Sequence, residues 1–185
     1  MNRIAVVGAT GSGKTTLART LAQQLNIPHI ETDSLYWGPR WTPIPLEEFR
    51  HRMDTATRGE QWVIDGNYSK VRDLVWGRAD TLVRLDYPFL LVFWRLLRRS
   101  LPRIFSREQL WNGNRETFRG MFLSRDSLFA WLFQSYSRQK SAYPLLVTDP
   151  MFLHLTFVRL KLPREADEWV NNLHFKGFFA SPPLS

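Results

Sequence analysis

Eight consecutive residues, Gly8-Ala9-Thr10-Gly11-Ser12-Gly13-Lys14-Thr15, have the types and spacing to hold phosphate groups. The run matches G-x-x-x-x-G-K-[ST], with Thr16 behind it. Glycines let the backbone curl so that successive N–H groups point inward onto phosphate oxygens. Lys14 would reach the β- and γ-phosphates of ATP, and Thr15 would set its hydroxyl on Mg²⁺. The pattern carries weight only between a strand and a helix. Arg3 to Val7 reads as a short buried strand. The following helix, to Leu25, puts Leu17, Leu21 and Leu25 with Ala18 and Ala22 on one face. Its N-terminus adds about half a positive charge at the loop. The phosphate-binding candidates are therefore Gly8, Thr10, Gly11, Ser12, Gly13, Lys14, Thr15 and Thr16.

Phosphoryl transfer also needs a metal holder, an aligned acceptor and positive charge on the transferring oxygens. Asp65 ends the apolar strand Trp62-Val63-Ile64 and is the favoured acid to hold a water on Mg²⁺ beside Thr15. Asp86 repeats the pattern after Leu82-Val83-Arg84-Leu85, but Arg84 interrupts the apolar run, and a turn role before Tyr87-Pro88 competes. Asp33 is the acceptor-side candidate. A hydroxyl acceptor must lose a proton, which a nearby carboxylate takes; an N-cap or turn role is the alternative. Tyr36, Trp37 and Trp41 could stack on a base or sugar, with simple loop packing the favoured reading. His29, His51, His154 and His174 do not cluster, so no metal site is expected from them.

Charge supplies the remaining ingredient. The 185 residues carry a net charge of +8, and 20 of the 25 basic residues are arginine, the side chain suited to two-pronged phosphate binding. Eight arginines lie between Arg95 and Arg125. Residues 101–125 are expected to form an arginine-rich lid, with Arg103, Arg107 and Arg115, in its least regular part, as the catalytic candidates. A well-placed arginine accelerates such a step about 10³- to 10⁵-fold, or roughly 4 to 7 kcal/mol of barrier. Nucleic acid is a second class of partner that a basic surface attracts, and not the favoured one.

These residues need a frame. Strands are expected at 3–7, 29–32, 61–64, 81–85 and within 151–160. Helices are expected from Lys14, at 46–58, 69–76 and 89–101, from about Phe118 to Lys140, and at 164–173, with 34–45 a loop. Strands alternating with helices imply a parallel α/β sheet covered on both faces, whose ligands bind beyond the carboxyl ends of the strands. A single domain over 1–175 and a loose tail over 176–185 are expected. There are no cysteines, and no apolar run approaches the roughly 18 residues of a membrane span. A cytoplasmic protein without a membrane partner is the simple expectation.

The stretches GATGSGKTTLARTLAQQLNIP, ETDSLYWGPRW, WVIDGNY, GRADTLVRLDYP, WNGNRE and FVRLKLPREADEWV together resemble the adenylate-kinase-related P-loop proteins of the DNA topology modulation, FlaR type. The resemblance implies a three-layer P-loop NTPase fold with a five-stranded parallel sheet of order 2-3-1-4-5 and a lid. It also implies an acceptor near Asp33, Asp65, Gly66 and Tyr68, and adenine near Leu162 to Arg164. Thr10 stands where adenylate kinases carry proline, a form more like the small-molecule kinases for shikimate and gluconate. The D-G-F-P-R signature of nucleoside-monophosphate kinases becomes Asp65-Gly66-Asn67-Tyr68-Ser69, without its arginine. The favoured function is ATP-dependent transfer of the γ-phosphoryl group to a nucleotide or a small hydroxyl-bearing metabolite. A nucleic-acid-associated ATPase and a nucleotide binder without turnover are the alternatives.

Overall fold

The structure is a computed structural model that describes residues 1–178 apart from Arg107 and residues 124–126. In chain order its elements are β1 (Arg3–Gly8), α1 (Lys14–Leu25), β2 (His29–Glu31), α2 (Thr32–Tyr36), α3 (Leu46–Ala56), β3 (Trp62–Asp65) and α4 (Arg72–Arg78). They continue with β4 (Thr81–Leu85), α5 (Phe89–Ser106), α6 (Leu128–Val147), β5 (Thr156–Leu160) and α7 (Pro163–Phe178). The five strands pair in parallel in the order β2-β3-β1-β4-β5, as the resemblance implies.

The layers follow from strand alternation. Ile4 and Val6 of β1, with Val83 and Leu85 of β4, join the core under α1, α5 and α7. Ala5 and Val7, with Trp62, Ile64 and Leu82, join the core under α3 and α4. Helix α6 bridges the two: Phe129 and Leu132 belong to the first core, Tyr143 to the second. Strands buried on both faces read as continuous apolar runs, which made them legible. Helix α1 buries Leu17, Ala18, Leu21 and Ala22. It stops at Asn26, whose left-handed backbone returns an N–H to the last turn before Pro28.

Several boundaries differ from expectation. Thr32 leaves β2 and opens α2, where 34–45 was expected to be loop. Its Leu35 and Tyr36 pack against the core containing Phe49. Helix α5 runs through Pro102 to Ser106 instead of ending at Leu101. Proline removes one backbone bond, and burial of Val92, Leu96 and Ser100 outweighs that local cost. Helix α6 likewise continues past Lys140 through Pro144, and its start is capped by the Ser127 hydroxyl, which accepts from the Ala130 N–H at 3.2 Å. Helix α7 extends to Phe178, past the expected end at 173; residues 179–185 of the expected tail lie outside the described residues. No helix among the described residues is long and apolar enough to cross a membrane.

Candidate active site

The carboxyl ends of the strands open into a cleft of about 1730 Å³ floored by the Gly8–Thr16 loop. Gly11 adopts φ +80° beneath α5, where a Cβ would stand 2.8 Å from Leu96 Cβ and 3.0 Å from the Val92 carbonyl oxygen. Only glycine lets the loop pass so close. The first bond into α1 runs from the Leu17 N–H to the Gly13 carbonyl at 3.0 Å. The N–H groups of Gly13, Lys14, Thr15 and Thr16 consequently have no acceptor among the described residues. The buried Ser12 hydroxyl also lacks a partner among them. Lys14 Nζ donates to the Ala9 carbonyl at 3.0 Å. Desolvation pulls the lysine pKa down, while Asp33 and Asp65 oppose that pull. Free N–H groups, an unpartnered hydroxyl and an ammonium on one concave loop are suited to a polyphosphate anion.

Asp65 is 6 % exposed. Its Oδ2 accepts the Thr15 hydroxyl, and its Oδ1 lies 3.1 Å from His29 Nε2. Strand β3 thus delivers a carboxylate to the first turn of α1, the pairing that a hydrated divalent cation shared with phosphates requires. Asp86 is placed differently. Arg84 reaches its Oδ1 at 2.7 Å, and Arg159 Nε reaches its Oδ2 at 2.7 Å. Arg84 also lies over the Tyr143 ring at 4.2 Å. The arginine that interrupts the β4 run is therefore one of two that neutralise Asp86.

Asp33 lies in α2 without capping it. Its Oδ1 accepts the Tyr68 hydroxyl at 2.5 Å. Gly66 permits the approach of the two segments, since a Cβ there would stand 2.6 Å from Thr32 Cβ. Burial raises the Asp33 pKa above the usual carboxylate range, against the lowering effects of Tyr68, Lys14 and Arg99. Burial and the adjacent Asp33 charge also push the Tyr68 phenol far up, so it stays a donor.

Of the arginine candidates, Arg103 and Arg115 line the cleft, while Arg107 lies outside the described residues. Arg103 pairs with Glu108 at 3.4 Å and Glu116 at 3.5 Å. The structure adds Arg95 and Arg99. Arg95 Nη1 donates to the Ser12 carbonyl at 3.2 Å, directly on the loop. Arg99 lies 3.8 Å from Glu116 and bears electrostatically on both Lys14 and Asp33. Arg95, Arg99 and Arg103 stand four apart on α5, so one helix stripe carries all three into the cleft. That spacing was visible in the sequence.

Residues 109–115 fold back through a Gln109–Arg115 bridge and clasp the loop 37–43. Asn114 Oδ1 accepts the Trp41 N–H at 2.7 Å, and its Nδ2 donates to the Gly38 carbonyl at 2.9 Å. Trp41 Nε1 donates to the Arg115 carbonyl at 3.0 Å, and Trp111 Nε1 to Glu31 at 2.8 Å. Tyr36, Trp37, Trp41 and Trp111 form an edge-to-face chain along one wall. They pack the loop and line the cleft together. On the opposite side, Pro163, Ala166 and Val170 line the cleft, whereas Leu162 and Arg164 do not. Arg164 is directed to solvent, paired with Glu168 at 2.7 Å.

No family model matches the chain. The uncharacterized protein YqaC of Bacillus subtilis (strain 168) is 29 % identical over 128 residues, covering 68 % of this chain and 71 % of that protein. Among solved structures, a shikimate kinase from Bacteroides thetaiotaomicron superposes with a TM-score of 0.54 at 18 % identity, over 96 % of this chain and 98 % of its own. A gluconokinase from Sinorhizobium meliloti 1021 gives 0.52 at 18 % identity over 98 % of each chain. A shikimate kinase from Acinetobacter baumannii in complex with shikimate gives 0.52 at 15 %, over 98 % and 96 %. At such identities the likeness is one of architecture: the chain has the fold of the P-loop kinases.

Proposed function

We propose that the chain is an ATP-dependent phosphotransferase that moves the γ-phosphoryl group to a small hydroxyl-bearing metabolite. The observation that carries this reading is the place of Asp33: a carboxylate held in the cleft by Tyr68 and electrostatically coupled to Lys14. A hydroxyl acceptor needs such a base; an ionised phosphate acceptor does not. Asp33 takes the hydroxyl proton as the acceptor oxygen bonds to the γ-phosphorus and the bond to the β-phosphate oxygen breaks.

The backbone N–H groups of the loop and Lys14 would hold the triphosphate tail, with Arg95 and Arg99 balancing charge on the transferring group. Thr15 and Asp65 would hold Mg²⁺, which when bound neutralises phosphate charge and fixes phosphate geometry. The base of the nucleotide would lie on the side walled by Pro163, Ala166 and Val170. On the acceptor side, Arg103 is already offset by Glu108 and Glu116, which disfavours a doubly charged nucleoside monophosphate. The hydroxyl-acceptor kinases among the structural neighbours support the same class. The FlaR-type resemblance is compatible with it. Arg95, Arg99 and Arg103 of α5 line the cleft, which suits a phosphate-facing role for these three better than an outer stripe for nucleic acid.

The test is ADP release measured over a panel of hydroxyl acids, sugars, nucleosides and nucleoside monophosphates. Stimulation by a hydroxyl acceptor, abolished in Lys14→Ala, is expected. Tight ATP binding with no acceptor-stimulated turnover would overturn the reading in favour of a binding role.

A further inference from the structure

We propose that His29 is a positioning residue for the metal site: it fixes the plane of the Asp65 carboxylate so that one oxygen keeps a lone pair free for the hydrated Mg²⁺. The inference rests on the phosphotransferase reading of the same site.

The geometry begins with the sheet. In the parallel β2–β3 pair, His29 is opposite Val63 and Glu31 is opposite Asp65. With a period of two, the side chains of residues 29, 31, 63 and 65 share one face. His29 stands one repeat before Asp65 along that face and reaches forward to it. Its Nε2 lies 3.1 Å from Asp65 Oδ1. A carboxylate only accepts, so the hydrogen of that bond is on Nε2. Nδ1 stands 4.0 Å from Glu31 Oε1, too far for a hydrogen bond. Both side chains are enclosed, at 14 % and 7 % accessibility, so the bond is shielded from competing water.

The two oxygens of Asp65 are held from different elements. Thr15 of α1 binds Oδ2, and His29 of β2 binds Oδ1. A Thr15 hydroxyl has lone pairs for a metal ion besides the proton it gives to Oδ2, so that bond persists when the ion binds. Held by Thr15 alone the carboxylate would turn about Oδ2; His29 pins Oδ1, which fixes the plane and keeps the remaining lone pair of Oδ2 toward the ion's water. Partners that hold metal-site carboxylates in this way typically contribute about 10- to 100-fold to metal affinity. His29 therefore acts through Asp65 without touching the reacting atoms.

The test compares the affinity of a non-hydrolysable ATP analogue with and without Mn²⁺, a spectroscopic stand-in for Mg²⁺, in the wild type, His29→Ala and His29→Gln. In His29→Ala, about tenfold of the Mn²⁺-dependent gain should be lost, with metal-free affinity within about twofold of wild type. The Mn²⁺ resonance of the ternary complex should broaden in the same variant. His29→Gln retains an N–H donor and should recover most of the gain. An undiminished Mn²⁺ gain in His29→Ala, an equal loss of metal-free affinity, or no recovery in His29→Gln would each overturn the proposal. A wild type without any Mn²⁺-dependent gain would instead sink the phosphotransferase reading beneath it.

Discussion

Tyr68 donates its hydroxyl to Asp33 at 2.5 Å, joining the segment after β3 to the first turn of α2. That bond turns a residue that could have capped a helix into a cleft-facing carboxylate. It joins the Thr32–Tyr36 and Gly66–Tyr68 segments, and Tyr36, 4.7 Å from the Tyr68 ring, braces them. The same contact makes Asp33 sensitive to its surroundings. Lys14, Arg99 and Tyr68 favour its charge, whereas burial and Asp65 oppose it, and opposition prevails.

The pH dependence of turnover follows from that balance. A base works when ionised, so activity should rise with pH through a midpoint above the ordinary aspartate value of about 3.9. Tyr68→Phe removes a stabiliser of the charge and should move this limb to higher pH. Asp33→Asn should lower kcat about 10²- to 10⁴-fold. Rate profiles of the three proteins from pH 4 to 9 decide the matter; an unmoved limb in Tyr68→Phe would count against Asp33 as the base.

The same carboxylate should cost stability. Its folded pKa is raised, so its contribution is fully present below the unfolded value and is lost as pH rises through the folded one. Asp33→Asn retains an oxygen for Tyr68 and carries no charge. It should melt above the wild type at pH 7, and the difference should vanish near pH 3, where Asp33 is protonated. Thermal melts at both pH values measure this.

Much of this site was legible because its residues sit at fixed spacings beside buried apolar strands. Gly8 to Thr15 and Asp65 are set by the ends of β1 and β3, which their continuous apolar runs reveal. Helix α2 was not legible. Thr32, Asp33 and Ser34 favour caps and turns, and the helix forms because Leu35 and Tyr36 find partners on α3 and Tyr68. Arg95 and Arg99 were overlooked because their direction depends on the phase of α5 against the sheet, which their own spacing does not state. The Trp41–Asn114 contact joins residues 73 apart, beyond the reach of any local pattern.

Thr15 tests the metal side of the site separately. Thr15→Ser keeps the hydroxyl that Asp65 accepts, and should leave the Mg²⁺ requirement within a fewfold. Thr15→Val keeps the shape and removes the oxygen. It should raise the Mg²⁺ needed for half-maximal turnover about 10- to 100-fold. Equal Mg²⁺ curves for the two variants would exclude the hydroxyl as a ligand.

The arginines divide by what they touch. Arg99 bears on Lys14 and Asp33, so Arg99→Ala should lower kcat about 10³-fold with a small change in acceptor KM. Arg115 lines the cleft from the clasp, so Arg115→Ala should act mainly on acceptor KM. Steady-state kinetics with saturating ATP separates the two, and a reversed pattern would move the catalytic charge to Arg115.

Asn114 decides whether the clasp is a working part of the cleft. It is 3 % exposed, accepts from the Trp41 N–H, and donates to the Gly38 and Trp111 carbonyls at 2.9 Å and 2.8 Å. Asn114→Ala leaves one donor and two acceptors without their partner, a local cost of about 2–3 kcal/mol once water reaches part of the gap. The sheet shares none of these bonds, so the global melting temperature should fall little while the clasp opens more often. Hydrogen exchange should therefore quicken at Trp41 and Asn114 before it changes in β1 or β4, and acceptor KM should rise. Asn114→Asp keeps the acceptor for Trp41 but turns the donor toward the carbonyls into another acceptor, so it should loosen the clasp at least as much. If either variant exchanged uniformly faster across the sheet, the two loops would be part of the core and not a separable wall of the site.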